Sequence, residues 1–291
     1  MAMALRFGLF FPPFAGLAEP GRVVDLARAA ERSGWDGLFL WDHILALRGM
    51  PVADPWVTMA AVAHSTERMR LGMLVTPLAR RRPWVLARQT ATLDRLSRGR
   101  LVVGVGLGDD SVGEFSSFRG EVPEPVQRGA MLDESLGLLR QFWSGKDVTW
   151  EGRHFAVASG PFLPQPAQDP LPVWVACRWP HRRPLARAAR QQGCFPLFDR
   201  GGWDVPPFPD PEAVSSARTQ LSTYGAAPGI DLVCRGASAA VEAGERADRL
   251  AVLEAAGMTW WLESFGPEEP QLRALEDAAR IGPHGLSKVP R

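Results

Sequence analysis

Residues 71–106 open with Leu71-Gly72-Met73-Leu74-Val75-Thr76-Pro77 and continue through Leu78-Ala79-Arg80-Arg81-Arg82. They then run Pro83-Trp84-Val85-Leu86-Ala87-Arg88-Gln89-Thr90-Ala91-Thr92-Leu93-Asp94-Arg95-Leu96, cross Ser97-Arg98-Gly99-Arg100 and end in Leu101-Val102-Val103-Gly104-Val105-Gly106. Leu71 to Thr76 is a short apolar run stopped by Pro77, which reads as a buried strand. Proline suits a first helical turn, so a helix begins near Pro83 and runs towards Leu96. Leu101 to Val105 is the next apolar run. Strand, helix, strand in this order is the repeating unit of a parallel sheet wrapped by helices.

The same rhythm extends in both directions. Upstream, Leu5 to Phe10 ends at Pro12-Pro13, and a helix follows with Val23, Leu26, Ala27 and Ala30 on one face and Glu31 and Arg32 on the other. Asp36 to Trp41 is a strand entered through the Ser33-Gly34 stop. Downstream, Leu132, Leu136, Leu139 and Trp143 share one helical face. Residues 144–170 break the pattern with a hairpin, Val148 to Val157 around Glu151-Gly152, and the proline-rich Pro161 to Pro172 begins within them. So few residues cannot bury a core of their own, so this is an excursion from the main body. The alternation resumes with Val173 to Ala176, a basic helix from Pro184 to Gln192, and Gly193 to Leu197. Ile230 to Cys234 follows, with Ala247, Leu250 and Ala251 marking its helix. Met258 to Leu262 precedes a last helix carrying Leu272, Leu275 and Ala279. Eight strands in βα alternation predict a closed (β/α)8 TIM barrel with loop insertions, one unit over residues 1–291, in preference to a doubly wound sheet.

Composition narrows the function classes. Lys plus Arg (33) nearly equal Asp plus Glu (32), a net charge of +1, so no basic surplus points to nucleic acid. No apolar run reaches bilayer length and the N-terminus carries no secretory pattern. Cys177, Cys194 and Cys234 form no CxxC pair, which suits a reduced, cytoplasmic protein. Eleven tryptophans against one tyrosine fit either core filling or the wall of a pocket for a planar ligand.

In such a barrel the reactive groups lie at the C-terminal ends of the strands. Asp42 and His43 follow the second strand directly, placing an acid–base pair on that rim; a capping Asp beside a satisfied surface His is the plainer alternative. Gly104-Val105-Gly106-Leu107-Gly108-Asp109-Asp110 lets a ligand approach the backbone, but its spacing is not that of a dinucleotide fingerprint. After the fifth strand come Arg178, His181, Arg182 and Arg183, where a helix begins. Cations oppose a helix dipole there, so a bound phosphate is the preferred explanation over a solvated arginine cluster. Cys177 reads as a packed thiol, lacking any accompanying His-Asp pattern. No GxSxG elbow or metal-ligand spacing occurs, and His64 and His154 read as a helix-surface and a hairpin residue.

Taken together, several segments resemble the luciferase-like monooxygenase family of flavin- and deazaflavin-dependent oxidoreductases. They are Ala29 to Phe39, Trp41-Asp42-His43, Thr66 to Gly72, Val75-Thr76-Pro77, Ala91 to Arg100, Gly104-Val105-Gly106, Trp150 to Phe155, and Pro164-Gln165-Pro166 before Val173 to Ala176. The resemblance spans about residues 5 to 197. It implies a bacterial luciferase-like barrel holding coenzyme F420 or FMN at the strand ends, with the Asp42-His43 pair tilting the choice towards F420. By position it implies Asp42 and His43 beside the reactive ring, with His43 donating or accepting a proton. Val75 and Thr76 fall where a non-proline cis peptide supports the ring. Gly106, Gly108 and Asp109 border the cofactor, while Ala176, Cys177 and Arg178 lie at its phosphate end, backed by Arg182 and Arg183. Cys177 replaces a common glycine, so its side chain stands to crowd that backbone, and Asp109 replaces a common Glu with shorter reach.

The implied activity is hydride transfer or oxygen activation on a small organic substrate. The implied partners are a second copy of the chain and, for FMN, a separate flavin reductase. A catalytically silent cofactor-binding barrel and a non-redox barrel hydrolase or lyase are the competing classes. Substrate contacts are expected from the loops Phe115 to Pro125, Phe162 to Pro170 and Phe198 to Pro209.

Overall fold

The apolar runs form parallel strands and the amphipathic segments form the helices that cover them. A computed structural model describes residues 4–46, 49–199 and 204–286; residues 200–203 of the last substrate loop lie outside the described residues. In chain order the elements are β1 Arg6–Phe11, α1 Pro20–Arg32, β2 Gly37–Leu40, α2 Pro55–Ser65, β3 Arg70–Pro77, α3 Pro83–Leu96, β4 Leu101–Gly106 and α4 Pro125–Trp143. A hairpin of β5 Val148–Glu151 and β6 Ala156–Ser159 follows. Then come β7 Val173–Arg178, α5 Arg182–Ala188, β8 Gly193–Leu197, α6 Pro211–Thr223, β9 Asp231–Gly236, α7 Ala243–Ala255, β10 Trp260–Ser264 and α8 Gln271–Ile281. The barrel closes in the order β1-β10-β9-β8-β7-β4-β3-β2, every neighbour parallel. This is a (β/α)8 TIM barrel.

Of the boundaries that differ from the sequence reading, two have a plain backbone reason. The hairpin turns over Gly152–Phe155, not at Glu151-Gly152, because the Glu134 carboxylate accepts from the N–H groups of Arg153 (3.1 Å), His154 (3.1 Å) and Phe155 (3.3 Å). The basic helix starts at Arg182 and stops at Ala188, not Pro184 to Gln192. Pro184 sits in its first turn, where a missing N–H leaves no intrahelical bond unmade. Gln192 instead bonds β7, its N–H donating to Val173 O (3.2 Å) and its side chain accepting from Val173 N–H (3.0 Å).

Alternation along the strands separates two apolar layers. Phe10, Phe39, Trp41, Leu74, Val102, Trp174, Phe195, Val233, Trp260 and Leu262 point into the barrel, while their neighbours face the helices. Phe39, Trp174 and Trp260 meet there with centroid separations of 5.2 to 5.7 Å. Rings of that size fit because glycine lines the same layer: a Cβ at Gly193 would fall 2.1 Å from Trp174 Cδ1, and one at Gly37 2.7 Å from Phe39 Cε2. For these tryptophans core filling is the answer, and the interior is packed, not hollow.

The opposite, N-terminal face is held by charged side chains wired to backbone. Glu31 accepts from the N–H groups of Glu67 (3.0 Å), Arg68 (2.6 Å) and Met69 (3.0 Å). Asp94 accepts from Ala167 N–H (2.8 Å), Gln168 N–H (2.8 Å) and the Gln168 amide (2.7 Å). Arg100, almost fully buried, donates to the carbonyls of Ala63, Thr66, Met69 and Ser97 and to the Thr66 hydroxyl. Such anchors fix the loops that launch β3, β4 and β7, and so set where those strands end at the other face.

Candidate active site

At the C-terminal mouth, Val75, Gly106 and Ala176 come together on adjacent strands. A Cβ on Gly106 would lie 2.6 Å from Val75 Cγ2 and 3.6 Å from Ala176 Cβ. This small-residue cradle sits above the aromatic interior, with Val75 and Ala176 packed on it. The non-proline cis peptide joins Leu74 to Val75, one bond before Val75-Thr76, and the β3–β4 register shifts between Met73 and Thr76. Gly108 turns the chain with φ +73°, and a Cβ there would strike Pro77 and Phe115 at 2.8 to 3.0 Å, so the turn requires glycine.

Asp42 is buried, and both its carboxylate oxygens are taken. It accepts from Trp56 Nε1 (2.9 Å), Thr76 Oγ1 (2.9 Å), Arg80 (3.0 Å) and, through both oxygens, Arg81 (2.9 Å). Burial pushes the carboxyl up, but the two guanidiniums and the Trp56 indole outweigh it, and the group is held below the ordinary carboxylate range. Asp42 and Thr76 therefore brace each other, and neither presents a free polar atom to the mouth.

His43 differs. Its side chain is 24% exposed, and its Nδ1 lies 2.9 Å from Oε2 of the fully buried Glu114. The ring packs edge-on against Phe14 and tilted against Trp41, each with a centroid separation of 5.7 Å. Glu114 Oε2 also lies 2.9 Å from an Arg80 nitrogen, and Arg80 reaches back to Asp42. Burial again raises the Glu114 carboxyl, while His43, Arg80 and Leu45 N–H prevail and lower it. Behind His43, charges of alternating sign thus run Glu114, Arg80, Asp42, Arg81.

Glu114, Arg80, Arg81 and Trp56 escaped the sequence reading. The run Arg80-Arg81-Arg82 just past a strand end was the available signal, since buried cations require counter-charges. Because Asp42 and Glu114 are lowered in the native state, their contribution is complete above the ordinary values of 3.8 and 4.5 and is lost as pH falls through the lowered native values. The thermal midpoint is expected to fall below about pH 4 more steeply in the native protein than in Asp42→Asn, as calorimetry would show; parallel curves would refute it.

The remaining candidates lie on neighbouring strand ends. Asp109 is exposed, accepts from Ser111 N–H (2.6 Å) and feels both Arg178 and His43. Burial raises its carboxyl, but Ser111, Arg178 and His43 hold it below the usual range. Arg178, Arg182 and Arg183 are exposed at the end of β7 and the start of α5, where no acidic residue occupies the first turn. Cys177 does not crowd this edge. Alternation turns its thiol outward into the helix-covered layer, with Sγ 3.5 Å from Cys194 Sγ, so only its backbone faces the mouth. Farther round, Arg235 on β9 forms a bidentate pair with Asp199 (2.7 and 3.0 Å), and Phe10 lies beneath its guanidinium.

Among the described residues no helix is long and apolar enough to cross a membrane, and no group of three His, Cys, Asp or Glu could hold a metal. The family model described as luciferase-like monooxygenase matches residues 5–195. An F420-dependent glucose-6-phosphate dehydrogenase of Nakamurella multipartita is 36% identical over 187 residues, covering 62% of this chain and 53% of that protein. The protein of the same name from Gordonia bronchialis is 34% identical over 186 residues, with the same coverages. The chain thus spans about half the length of the curated relatives it matches. Its fold is shared with an F420-dependent secondary alcohol dehydrogenase in complex with an F420–acetone adduct (TM-score 0.78, 17% identity, 97% of this chain and 99% of that one). It is also shared with the coenzyme F420-dependent tetrahydromethanopterin reductase of Methanopyrus kandleri (TM-score 0.72, 18% identity, the same coverages) and the monooxygenase RslO1 of Streptomyces bottropensis (TM-score 0.70, 23% identity, 95% and 98%).

Proposed function

The chain belongs to the luciferase-like monooxygenase family, and from that premise we propose that it is an oxidoreductase working with coenzyme F420, FMN being the alternative occupant. The observation that carries this reading is His43, partly exposed and braced by Glu114, on the same C-terminal rim as the cradle of Val75, Gly106 and Ala176, none of them bulky. The coenzyme, when bound, supplies a ring carbon that takes up or returns hydride. The chain's own residues do the rest. Val75, Gly106 and Ala176 leave room for a flat ring; Gly108 and Asp109 border it; and the Cys177 backbone with Arg178, Arg182 and Arg183 holds its phosphate. Asp42 and Thr76 keep the β2 and β3 ends in place, and His43 accepts the proton of a substrate hydroxyl, or returns it.

We take the substrate to be a small, largely apolar hydroxyl or carbonyl compound. Trp41, Phe10 and Leu197 belong to one apolar cluster beneath the mouth, and Arg235, the cation set over Phe10, is already neutralised by Asp199. The same reading treats the protein as a cytoplasmic homodimer, with a reductase partner needed only for FMN.

Titrating the purified protein with F420 and with FMN tests the coenzyme, the expected result being the lower dissociation constant for F420. Replacing Arg178 and Arg182 together by alanine should weaken F420 at least about tenfold, since charge-assisted contacts contribute roughly 1.5–3 kcal/mol each. Both side chains are exposed, so the unfolding curve should stay unchanged. Equal affinity in the double variant would remove the phosphate assignment.

A further inference from the structure

Glu114 lies far from His43 in sequence, in a loop with no repeating pattern, yet it is built into the site as firmly as the buried Asp42. Its side chain has no exposed surface. One oxygen, Oε1, accepts from Ile44 N–H (2.5 Å) and Leu45 N–H (3.1 Å), the two residues after His43. The other, Oε2, lies 2.9 Å from both His43 Nδ1 and Arg80. The loop itself is clamped: Asp110 accepts from Phe115 N–H (2.7 Å) and Ser116 N–H (3.1 Å). The buried Phe115 ring lies 4.2 Å from the Arg128 guanidinium and 5.9 Å from that of Arg80.

At 2.9 Å an unprotonated nitrogen would set its lone pair against an ionised carboxylate, so the imidazole nitrogen facing Glu114 is the one that favours the proton. We propose that Glu114 is the positioning residue of the site, holding neutral His43 as its Nδ1–H tautomer so that the lone pair of Nε2 is the one presented at the mouth. A histidine side chain in water prefers the opposite tautomer, with the proton on Nε2, which could not accept a proton at that atom. When His43 takes up a proton at Nε2, the ring becomes cationic beside Glu114, and the carboxylate stabilises it. Asp109 adds to this from the β4 loop, and Arg80 tempers it through its shared contact with Glu114. Asp42 and Arg81, paired with each other, are the other charged groups of the network behind the ring.

The inference rests on the proton-transfer role proposed for His43, but its test needs neither coenzyme nor substrate. The chain has five histidines, so nitrogen-15 labelling of histidine gives few enough signals for His43 to be assigned by its loss in His43→Gln. Two-bond proton–nitrogen correlation spectra in mildly alkaline buffer report which ring nitrogen is protonated. The native protein should show Nδ1 protonated and Nε2 bare at His43. Glu114→Met, which offers His43 Nδ1 no carboxylate, should move the population towards Nε2–H. An Nε2–H signal in the native protein overturns the proposal by itself, even if Glu114→Met fails to fold. So does an unchanged tautomer in a folded Glu114→Met. If the tautomers behave as expected but His43→Ala turns over normally, the proton-transfer reading fails and the positioning of the ring stands.

Discussion

Replacing Arg100 by leucine is expected to cost about 3–5 kcal/mol of stability, read as a lower denaturation midpoint. The change keeps an apolar stem but removes every donor. The carbonyls of Ala63, Thr66, Met69 and Ser97, and the Thr66 hydroxyl, then lose their partner in a region with little room for water. Arg100→Lys should recover only part of the loss, because a single ammonium cannot reach acceptors arranged around a planar fork. Coenzyme affinity per folded molecule should not move, since these contacts lie at the launching face of β3 and β4, a barrel length from the mouth. A loss below about 1 kcal/mol would mean that water replaces the guanidinium readily.

Arg100 also explains how the sequence could be read. Three of the segments that resemble the family, Ala29 to Phe39, Thr66 to Gly72 and Ala91 to Arg100, meet at that face: Glu31 caps the 67–69 turn, Asp94 caps 167–168 and Arg100 ties the neighbouring loops together. Their likeness therefore reports the barrel and says little about chemistry. Strands were legible because period and composition are local properties. Gly193 to Leu197 matches its observed bounds, whereas the runs Leu5 to Phe10 and Met258 to Leu262 are displaced by one or two residues, to Arg6–Phe11 and Trp260–Ser264. At the mouth, the rim rule was enough to single out Asp42 and His43, but not to tell their parts from one another. That distinction depends on Arg80, Arg81, Trp56 and Glu114, brought in by separate segments of the chain. No local pattern announces that Asp42 is saturated while His43 is partly open at the mouth. Cys177 shows the same limit: its position flagged crowding, and strand alternation removed it.

The largest functional effect is expected at His43. Removing a general acid–base group lowers turnover by roughly 10²–10⁴-fold when proton transfer accompanies the chemical step. Dehydrogenating a hydroxyl compound breaks a C–H bond, whose electron pair leaves as hydride, and an O–H bond, whose proton needs an acceptor. Asp42 cannot serve, because both its oxygens are engaged by Arg80, Arg81, Thr76 and Trp56. Asp109 is exposed and held below the ordinary carboxylate range, which makes it a poor base. His43→Ala should therefore lose single-turnover reduction of F420 by a secondary alcohol such as propan-2-ol while binding F420 within a few-fold of the native protein. Because the ring is partly exposed at the mouth, packed on Phe14, Trp41 and Glu114, the fold should survive the change. Free imidazole, able to enter the vacated space, should restore part of the rate to His43→Ala and none to Glu114→Met, where the imidazole is present but wrongly presented. Turnover unchanged in His43→Ala would leave the histidine a packing residue and move the search for the proton acceptor to Asp109 and solvent.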